Sequence, residues 1–230
     1  MPCTLPASLA DAAVCRGSFH AVLGGEAGEA VFADFSAALQ KAQAEGRILT
    51  ASLFRYENHL FFYAEGLNRP FTPQGLCPAL DAALLPWPPA LGETAPRPWA
   101  AMQPYFYHDV PTTAADWQQG RCPQRRRGRI ALLPPDKWCS YMEHHLRIVT
   151  EGLVEGDRWH LICVQEGVLF SYLEEPRTNV NIRHKPGAHS PELDAWIAAD
   201  PESHFARFTP EQKAHPDSGH NFVCLLYTSD

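Results

Sequence analysis

The stretches "ASLFRYENHLFFYAE" (51–65) and "HLICVQEGVLFSYLE" (160–174) decide the fold, because they are two copies of one pattern. Each consists of an apolar run, a short polar turn and a second apolar run that closes on Phe-x-Tyr-x-Glu. Apolar runs joined by a short polar turn predict a β-hairpin in each copy. The positions that correspond are Tyr63 with Tyr172 and Glu65 with Glu174, at the same spacing along the chain.

An amphipathic helix is predicted before each hairpin. In the second copy, apolar residues recur at i, i+3, i+4 and i+7 from Trp138 to Gly152, which is the period of a helix with one buried face. Pro134 and Pro135 precede this helix and favour its start there. In the first copy, a similar apolar stripe runs from Phe32 to Ala42.

The remaining elements also recur in the same order. Each copy has a strand-like run before its helix and a shorter helix after its hairpin, and the first copy closes with a further strand. These segments are 19–23 and 129–133, then Leu80–Ala82 and Leu193–Ala195, and finally Tyr105–Asp109. The order β-α-β-β-α-β predicts two tandem ferredoxin-like repeats in an α+β fold, the second lacking its last strand.

The predicted organisation has five segments. They are an N-terminal extension (1–16), a first repeat (17–110), a Pro-, Gln- and Arg-rich linker (111–127), a second repeat (128–223) and a tail (224–230). A four-stranded sheet with helices on one side leaves its other face apolar, so we expect the two repeats to bury these faces together as a pseudo-dimer within one chain.

The last seven residues, "CLLYTSD" (224–230), match the translation of a widely used sequencing adaptor. We therefore expect this segment to be read-through. The natural sequence is then interrupted near Val223, which explains why the second repeat lacks its final strand in the predicted element order.

The composition excludes several classes of protein. A net charge of -7 gives no general affinity for nucleic acid or an anionic membrane, and the basic run 125–129 is interpreted as a solvated linker. The cysteines form no C-x-x-C pair, so neither a zinc ribbon nor a disulfide framework is predicted. No secretory signal and no run of roughly 20 apolar residues is found, so we expect a cytoplasmic protein without membrane contact.

The segment "YMEHHL" (141–146) carries the candidate chemistry. Tyr141 and His145 are four residues apart, so they lie on one helical face, which is the apolar face. His144 is expected to face outward. Adjacent histidines cannot readily share a metal from the same face, so no metal site is predicted. From the residues alone, Tyr141 and His145 are either a hydrogen-bonded pair in the core or an acid–base pair.

The second copy resembles the L-rhamnose mutarotase family over residues 128–205. The similarity rests on "GRIALLPPDKWCSYMEHH", "WHLICVQEGVLFSYLEE" and "ELDAWIAADPE". It implies an intramolecular dimeric α+β barrel that interconverts the α and β anomers of a sugar without cofactor or metal. Tyr141 and His145 match the Tyr-x-x-x-His motif of the family, whereas the first copy has Phe32 and Ser36 there.

The resemblance also implies the site residues. His145 is expected to transfer the proton, since an ordinary histidine pKa of about 6.5 suits either direction near neutral pH, and Tyr141 is expected to orient a hydroxyl. The family's second-strand tyrosine falls at His160 or Trp159, and its tryptophan pair after "ADPE" is replaced by Phe205 and Phe208. The expected substrate contacts are His160, Trp159, Phe205 and Tyr172.

The function predicted from the resemblance is a sugar mutarotase acting on L-rhamnose or a related aldose. The alternative is a non-catalytic module that binds or senses a sugar. A third possibility, an oxygenase or haem-handling enzyme of the wider α+β barrel class, would need a histidine ligand or an Asn and Trp set that the sequence does not identify.

Overall fold

The computed structural model describes residues 5–179, 182–211 and 221–229. The chain divides into two compact units, which are described separately. Unit 1 comprises Met1–Met102, Pro111–Cys122 and Leu226–Asp230, and unit 2 comprises Gln103–Val110 and Pro123–Leu225.

The described residues form eleven strands and five α-helices, with short 3-10 turns at Ala7–Leu9 and Pro201–His204. In chain order they are β1 (Val14–Val22), α1 (Glu29–Ala44), β2 (Ile48–Tyr56), β3 (His59–Leu67), α2 (Pro78–Ala83), β4 (Ala100–Phe106), α3 (Ala114–Gln118), β5 (Arg125–Leu132), α4 (Trp138–Glu151), β6 (Val154–Glu155), β7 (Leu161–Gln165), β8 (Val168–Glu175), β9 (Arg183–His184), α5 (Pro191–Ala198), β10 (Val223–Cys224) and β11 (Leu226–Ser229).

Unit 1 contains an antiparallel sheet in the order β11-β2-β3-β1-β4. Strands β1 and β3 pair along their full length, from Val14 opposite Leu67 to Val22 opposite His59. The strands alternate in the face they present, and one face packs on α1 and α2. The buried core on that side includes Phe35, Leu39, Leu53, Phe62, Leu80 and Trp99.

The strands of unit 2 pair antiparallel in the order β10-β5-β8-β7-β4. The strand β4 is divided, because its residues from Gln103 onward belong to this unit. The β7–β8 hairpin turns through Glu166 and Gly167, both with positive φ, of 50° and 78°. Two positive φ values match the type I′ turn, whose twist suits a tight hairpin.

Helix α4 covers this second sheet because its apolar residues recur on one side. Tyr141, His145 and Ile148 are its buried residues. The helix ends where Gly152 takes a left-handed conformation with φ 67°, and the Gly152 N–H donates to the Ile148 carbonyl. The core against which α4 packs includes Tyr105, Phe106, Leu133, Ile162, Val164, Leu169, Leu193 and Trp196.

The α+β class and the main elements are confirmed. Both predicted hairpins, both long helices and the two shorter helices are present within the described residues. Strand β1 begins earlier than predicted, at Val14, because its register with β3 continues to Leu67.

The last strand of the second repeat, expected to be truncated, is present in the described chain as a strand of 2 residues. Val223 and Cys224 form β10, in which Val223 lies opposite Ile130 of β5. Residues 226–229 then pair with β2. These pairings do not bear on whether the tail is read-through.

Residues 111–127, predicted as a linker, contain regular structure. Thr113 caps α3 by accepting the Asp116 N–H at 3.1 Å, and Trp117 of that helix is fully buried. The interpretation of the basic run 125–129 as solvated is wrong, because it forms β5. Opposite charges on β8 offset this run, and Arg127 Nε lies 2.9 Å from Glu175 Oε1.

Within the described part of the chain, no helix combines the length and the apolar character that a membrane crossing requires.

Candidate functional site

Helix α4 brings Tyr141 and His145 together in the core of unit 2, as their spacing predicts. Their side chains are buried, with about one twentieth of each residue's surface exposed. The two ring centroids lie 4.1 Å apart. The pair therefore lies on the face of α4 that packs on the sheet.

A backbone hydrogen bond fixes the tautomer of His145. Its Nδ1 lies 2.9 Å from the carbonyl oxygen of Tyr141, one turn earlier in the helix. A carbonyl oxygen can only accept, so Nδ1 carries the ring proton and Nε2 keeps its lone pair. No hydrogen-bond partner of Nε2 is found among the described residues, so this nitrogen is available as an acceptor for a ligand.

Aromatic rings surround the imidazole of His145. The ring centroids of Trp196 and Phe106 lie 4.7 and 4.8 Å away, both edge-on, and that of Tyr105 lies 5.7 Å away. Burial among these rings lowers the pKa of His145 to about 4, although the bond to the Tyr141 carbonyl acts in the opposite direction. The histidine is therefore neutral at neutral pH.

Tyr141 also stays uncharged. Burial raises the pKa of its hydroxyl above the usual value. It can donate a hydrogen bond at neutral pH but cannot act as a base.

His145 lines a cavity of about 360 Å³, which we call the His145 cavity. Its apolar lining includes Phe106, Ile162, Leu193 and Trp196, and its polar lining includes His108 and His160. A mostly apolar hollow with a few polar groups is typical of sites for small organic molecules.

His108 lines this cavity, and its ring packs closely against the backbone at Gly156. Its ring lies on Gly156, where an added Cβ would overlap the Nε2 atom. That Nε2 is buried and has no hydrogen-bond partner within the described residues. Burial lowers the pKa of His108, so this ring too favours the neutral form.

Asp157 lies in the same cavity but its carboxylate is already occupied. It accepts from Arg177 Nε at 3.0 Å, from the Thr178 N–H at 3.2 Å and from the Thr178 hydroxyl at 2.8 Å. Because these donors hold both oxygens, Asp157 anchors the segment after β8 and is not a free base.

Tyr141 lines a second cavity of about 240 Å³, which we call the Arg129 cavity. Arg129, Ser171 and Phe205 also line it, and the Phe205 ring lies 5.2 Å from that of Tyr141. His160 lines both cavities. Tyr141 and His145 thus line different cavities of unit 2.

Four of the six residues predicted for the site lie at these cavities, namely Tyr141, His145, His160 and Phe205. Trp159 and Tyr172 are buried and line neither. The Tyr172 hydroxyl donates to Glu174 Oε1 at 2.6 Å, as Tyr63 does to Glu65 in unit 1.

His144 does not face outward as predicted. It is half-buried, and its ring centroid lies 5.4 Å from that of Trp196 and 6.4 Å from that of His204. Helix α5 and the turn after it cover this side of α4, which a helical period read from α4 alone could not reveal.

The sequence reasoning missed Phe106, His108 and Arg129. Phe106 and His108 lie in the segment predicted as the last strand of the first repeat, so they were not assigned to a site in the second. Arg129 was interpreted as part of a solvated run. Within the described residues, no three His, Cys, Asp or Glu side chains are grouped to hold a metal.

Comparisons with known proteins give little. No protein-family model matches the chain, and no curated protein matches it. A solved structure that matches is that of a "putative monooxygenase" from Fusobacterium nucleatum subsp. nucleatum, with 8% sequence identity and a TM-score of 0.40. The match covers 95% of this chain and 94% of that chain. A likeness this distant assigns no activity to the chain.

The predicted sugar mutarotase is wrong. No family model and no curated protein supports the resemblance on which it was based. Burial also lowers the pKa of His145 below the ordinary value of about 6.5 on which its predicted role in proton transfer was based. The described fold remains compatible with an α+β barrel.

Proposed function

We propose that unit 2 binds a small, flat, largely apolar organic molecule that carries a phenol or enol hydroxyl, with His145 Nε2 as the acceptor for that hydroxyl. The observation that supports this most is the fixed tautomer of His145, whose Nδ1 donates to the Tyr141 carbonyl at 2.9 Å. The nitrogen left over is an acceptor without a partner among the described residues.

The surroundings favour a ligand with an aromatic or conjugated body. Phe106 and Trp196 present ring edges and faces near His145, and Ile162 and Leu193 complete the apolar lining. Offset and edge-to-face ring contacts stabilise such a body. A ligand without a donor would leave His145 Nε2 unpaired after water is displaced, which costs binding free energy.

A phenol or enol hydroxyl suits this acceptor better than an alcohol. The hydroxyl is a stronger donor, and its hydrogen bond to a neutral imidazole strengthens as charge moves onto the oxygen. Because Nε2 accepts this hydrogen bond through its lone pair, binding such a group stabilises the neutral imidazole, in the same direction as burial. Partial proton transfer to Nε2 is the chemistry that this arrangement can support.

The test compares 4-nitrophenol with 4-nitrotoluene, which has a similar shape but no hydroxyl. Isothermal titration should show tighter binding of the phenol by roughly three- to tenfold, the scale of one hydrogen bond. His145→Leu should remove that preference. His144→Gln, which changes the neighbouring histidine of α4, should keep it. Equal affinity for the two compounds in the unmodified protein would reject the proposal.

We further propose that the chain contains two tandem ferredoxin-like repeats within an α+β barrel, with limits near 17–110 and 128–223. In support, β1-α1-β2-β3-α2-β4 and β5-α4-β7-β8-α5-β10 follow the same element order. The strand orders β2-β3-β1-β4 and β7-β8-β5-β10 correspond as well. Each repeat carries the same buried tyrosine–glutamate hydrogen bond at 2.6 Å.

A further inference from the structure

The Arg129 cavity has an arginine on its wall and apolar residues around it. Arg129 of β5 lies directly opposite Ser171 of β8, and both line the cavity. Residues paired across antiparallel strands present their side chains on the same face of the sheet. The apolar lining consists of Ile130, Ile162, Leu169, Phe205 and Phe222.

Arg129 differs from its neighbours on β5 in lacking a carboxylate. Arg127 Nε lies 2.9 Å from Glu175 Oε1, and Arg126 Nε lies 3.7 Å from Glu174 Oε1. No ion pair joins Arg129 to a carboxylate in the described part of the chain, and its Nε has no hydrogen-bond partner there. The guanidinium lies over the ring of Phe222, 4.7 Å from its centroid, and the Cys224 thiol is its hydrogen-bond partner.

The one carboxylate on the wall of this cavity does not supply the missing partner. Glu202 Oε2 accepts from Asn221 Nδ2 at 3.1 Å, and no ion pair joins Glu202 to Arg129 within the described residues. Arg129 is partly buried and faces no carboxylate, so an anion bound at this point gains a charge-assisted hydrogen bond. The fork of a guanidinium matches a carboxylate in two parallel hydrogen bonds.

The volume limits the size of the ligand. A cavity of about 240 Å³ has room for about eight water molecules at about 30 Å³ each. A single six-membered ring with one carboxyl group is of that size. The apolar lining suits the ring, while Arg129 and the Ser171 hydroxyl suit the carboxylate.

We infer that the Arg129 cavity is a binding site for a small aromatic or cyclic carboxylic acid, whose carboxylate pairs with Arg129 and Ser171. The inference does not rest on the phenol or enol ligand of the His145 cavity, because Arg129 and Ser171 line only the second cavity. The two cavities share His160 and Ile162.

The first measurement compares benzoate with benzamide, which keeps the shape and loses the charge. Nitrogen-15 NMR of the arginine Nε–H groups should show one resonance, assigned to Arg129, that shifts with benzoate. The affinity for benzoate should exceed that for benzamide by roughly tenfold or more, as expected for hydrogen bonds to a charged group. Equal affinities would overturn the inference, and this comparison needs no variant to fold.

The second measurement uses variants of two arginines on the same strand. Arg129→Gln should lower the affinity for benzoate by roughly tenfold or more and leave that for benzamide nearly unchanged. Arg125→Gln is the matched control, because Arg125 is exposed and does not line the cavity. Undiminished benzoate binding by a folded Arg129→Gln protein would contradict the inference, whatever the outcome of the nitrophenol titration.

Discussion

His145 is a buried histidine whose two ring nitrogens have different surroundings. Nδ1 is paired with a backbone carbonyl, and the ring is enclosed by Phe106, Trp196 and Tyr141. These rings offer no counter-charge, so enclosure favours the neutral form. Because the pKa of such a group differs between the folded and the unfolded chain, the free energy of unfolding depends on pH.

The stability of the protein should therefore fall as the pH is lowered from about 6.5 to about 4. The pKa of His145 is about 4 in the folded chain and about 6.5 in the unfolded chain, so between these values only the unfolded chain binds the proton. The loss at the acid end is about 3 kcal/mol at most from this group. Urea denaturation at a series of pH values measures it.

The control for this measurement is a nearby substitution that does not titrate. His145→Leu should flatten the dependence of stability on pH in that window. Ile148→Val, one turn later on the buried face of α4, should lower stability by about 1 kcal/mol at every pH and keep the slope. If the unmodified protein and His145→Leu show the same slope, the histidine does not titrate as described.

The sequence predicted the position of His145 better than its state. The four-residue spacing from Tyr141 places both rings on one face of a helix. The acid–base role assumed an ordinary pKa, which fails because Phe106 and Trp196 come from distant segments that close around the ring. The apolar period of a helix does not show which distant segments cover each of its faces. For the same reason, the half-buried position of His144 was not predicted.

At the scale of an element, α4 shows how much local sequence decides. Its apolar period predicts its buried face, on which the structure buries Tyr141, His145 and Ile148. The elements that were missed depend on partners far along the chain. Strand β5 begins at Arg125 because carboxylates of β8 face its arginines, and α3 is held by a buried Trp117.

Replacement of Gly152 by alanine should destabilise the protein by about 1–2 kcal/mol. Gly152 has φ 67°, a conformation that costs an L residue about that much. An added Cβ would meet no atom within 4 Å, so the backbone conformation alone accounts for the cost.

Gly25→Ala is the control for this prediction, since Gly25 also has open space around a Cβ but no positive φ. Its effect on the free energy of unfolding, measured by urea denaturation, should stay within about 0.5 kcal/mol. Similar effects of the two substitutions would show that the left-handed end of α4 contributes nothing particular.

At the scale of the whole molecule, the duplicated hairpin explains why the fold was predictable. Each unit has its own β-hairpin, its own helical cover and its own core. The buried bonds of Tyr63 to Glu65 and of Tyr172 to Glu174 show the same local solution in both. The candidate sites are not duplicated, because the first repeat has Phe32 and Ser36 where α4 has Tyr141 and His145.

Function was less predictable than fold for a physical reason. The four-residue spacing that suggested a sugar enzyme is found on one face of any helix. It gives no information about the cavity walls to which Phe106, His108 and Arg129 contribute. The described fold is therefore compatible with the one that the resemblance implied, whereas the activity that it implied is not supported.

Nitrogen-15 NMR of the His145 ring, with and without 4-nitrophenol at neutral pH, tests the tautomer and the hydrogen bond together. We expect a protonated Nδ1 and an unprotonated Nε2 in the free protein. We also expect 4-nitrophenol to shift the Nε2 signal toward that of a protonated nitrogen, while 4-nitrotoluene does not. A proton on Nε2 in the free protein, or an Nε2 signal that 4-nitrophenol leaves unchanged at saturation, would show that Nε2 is not the acceptor.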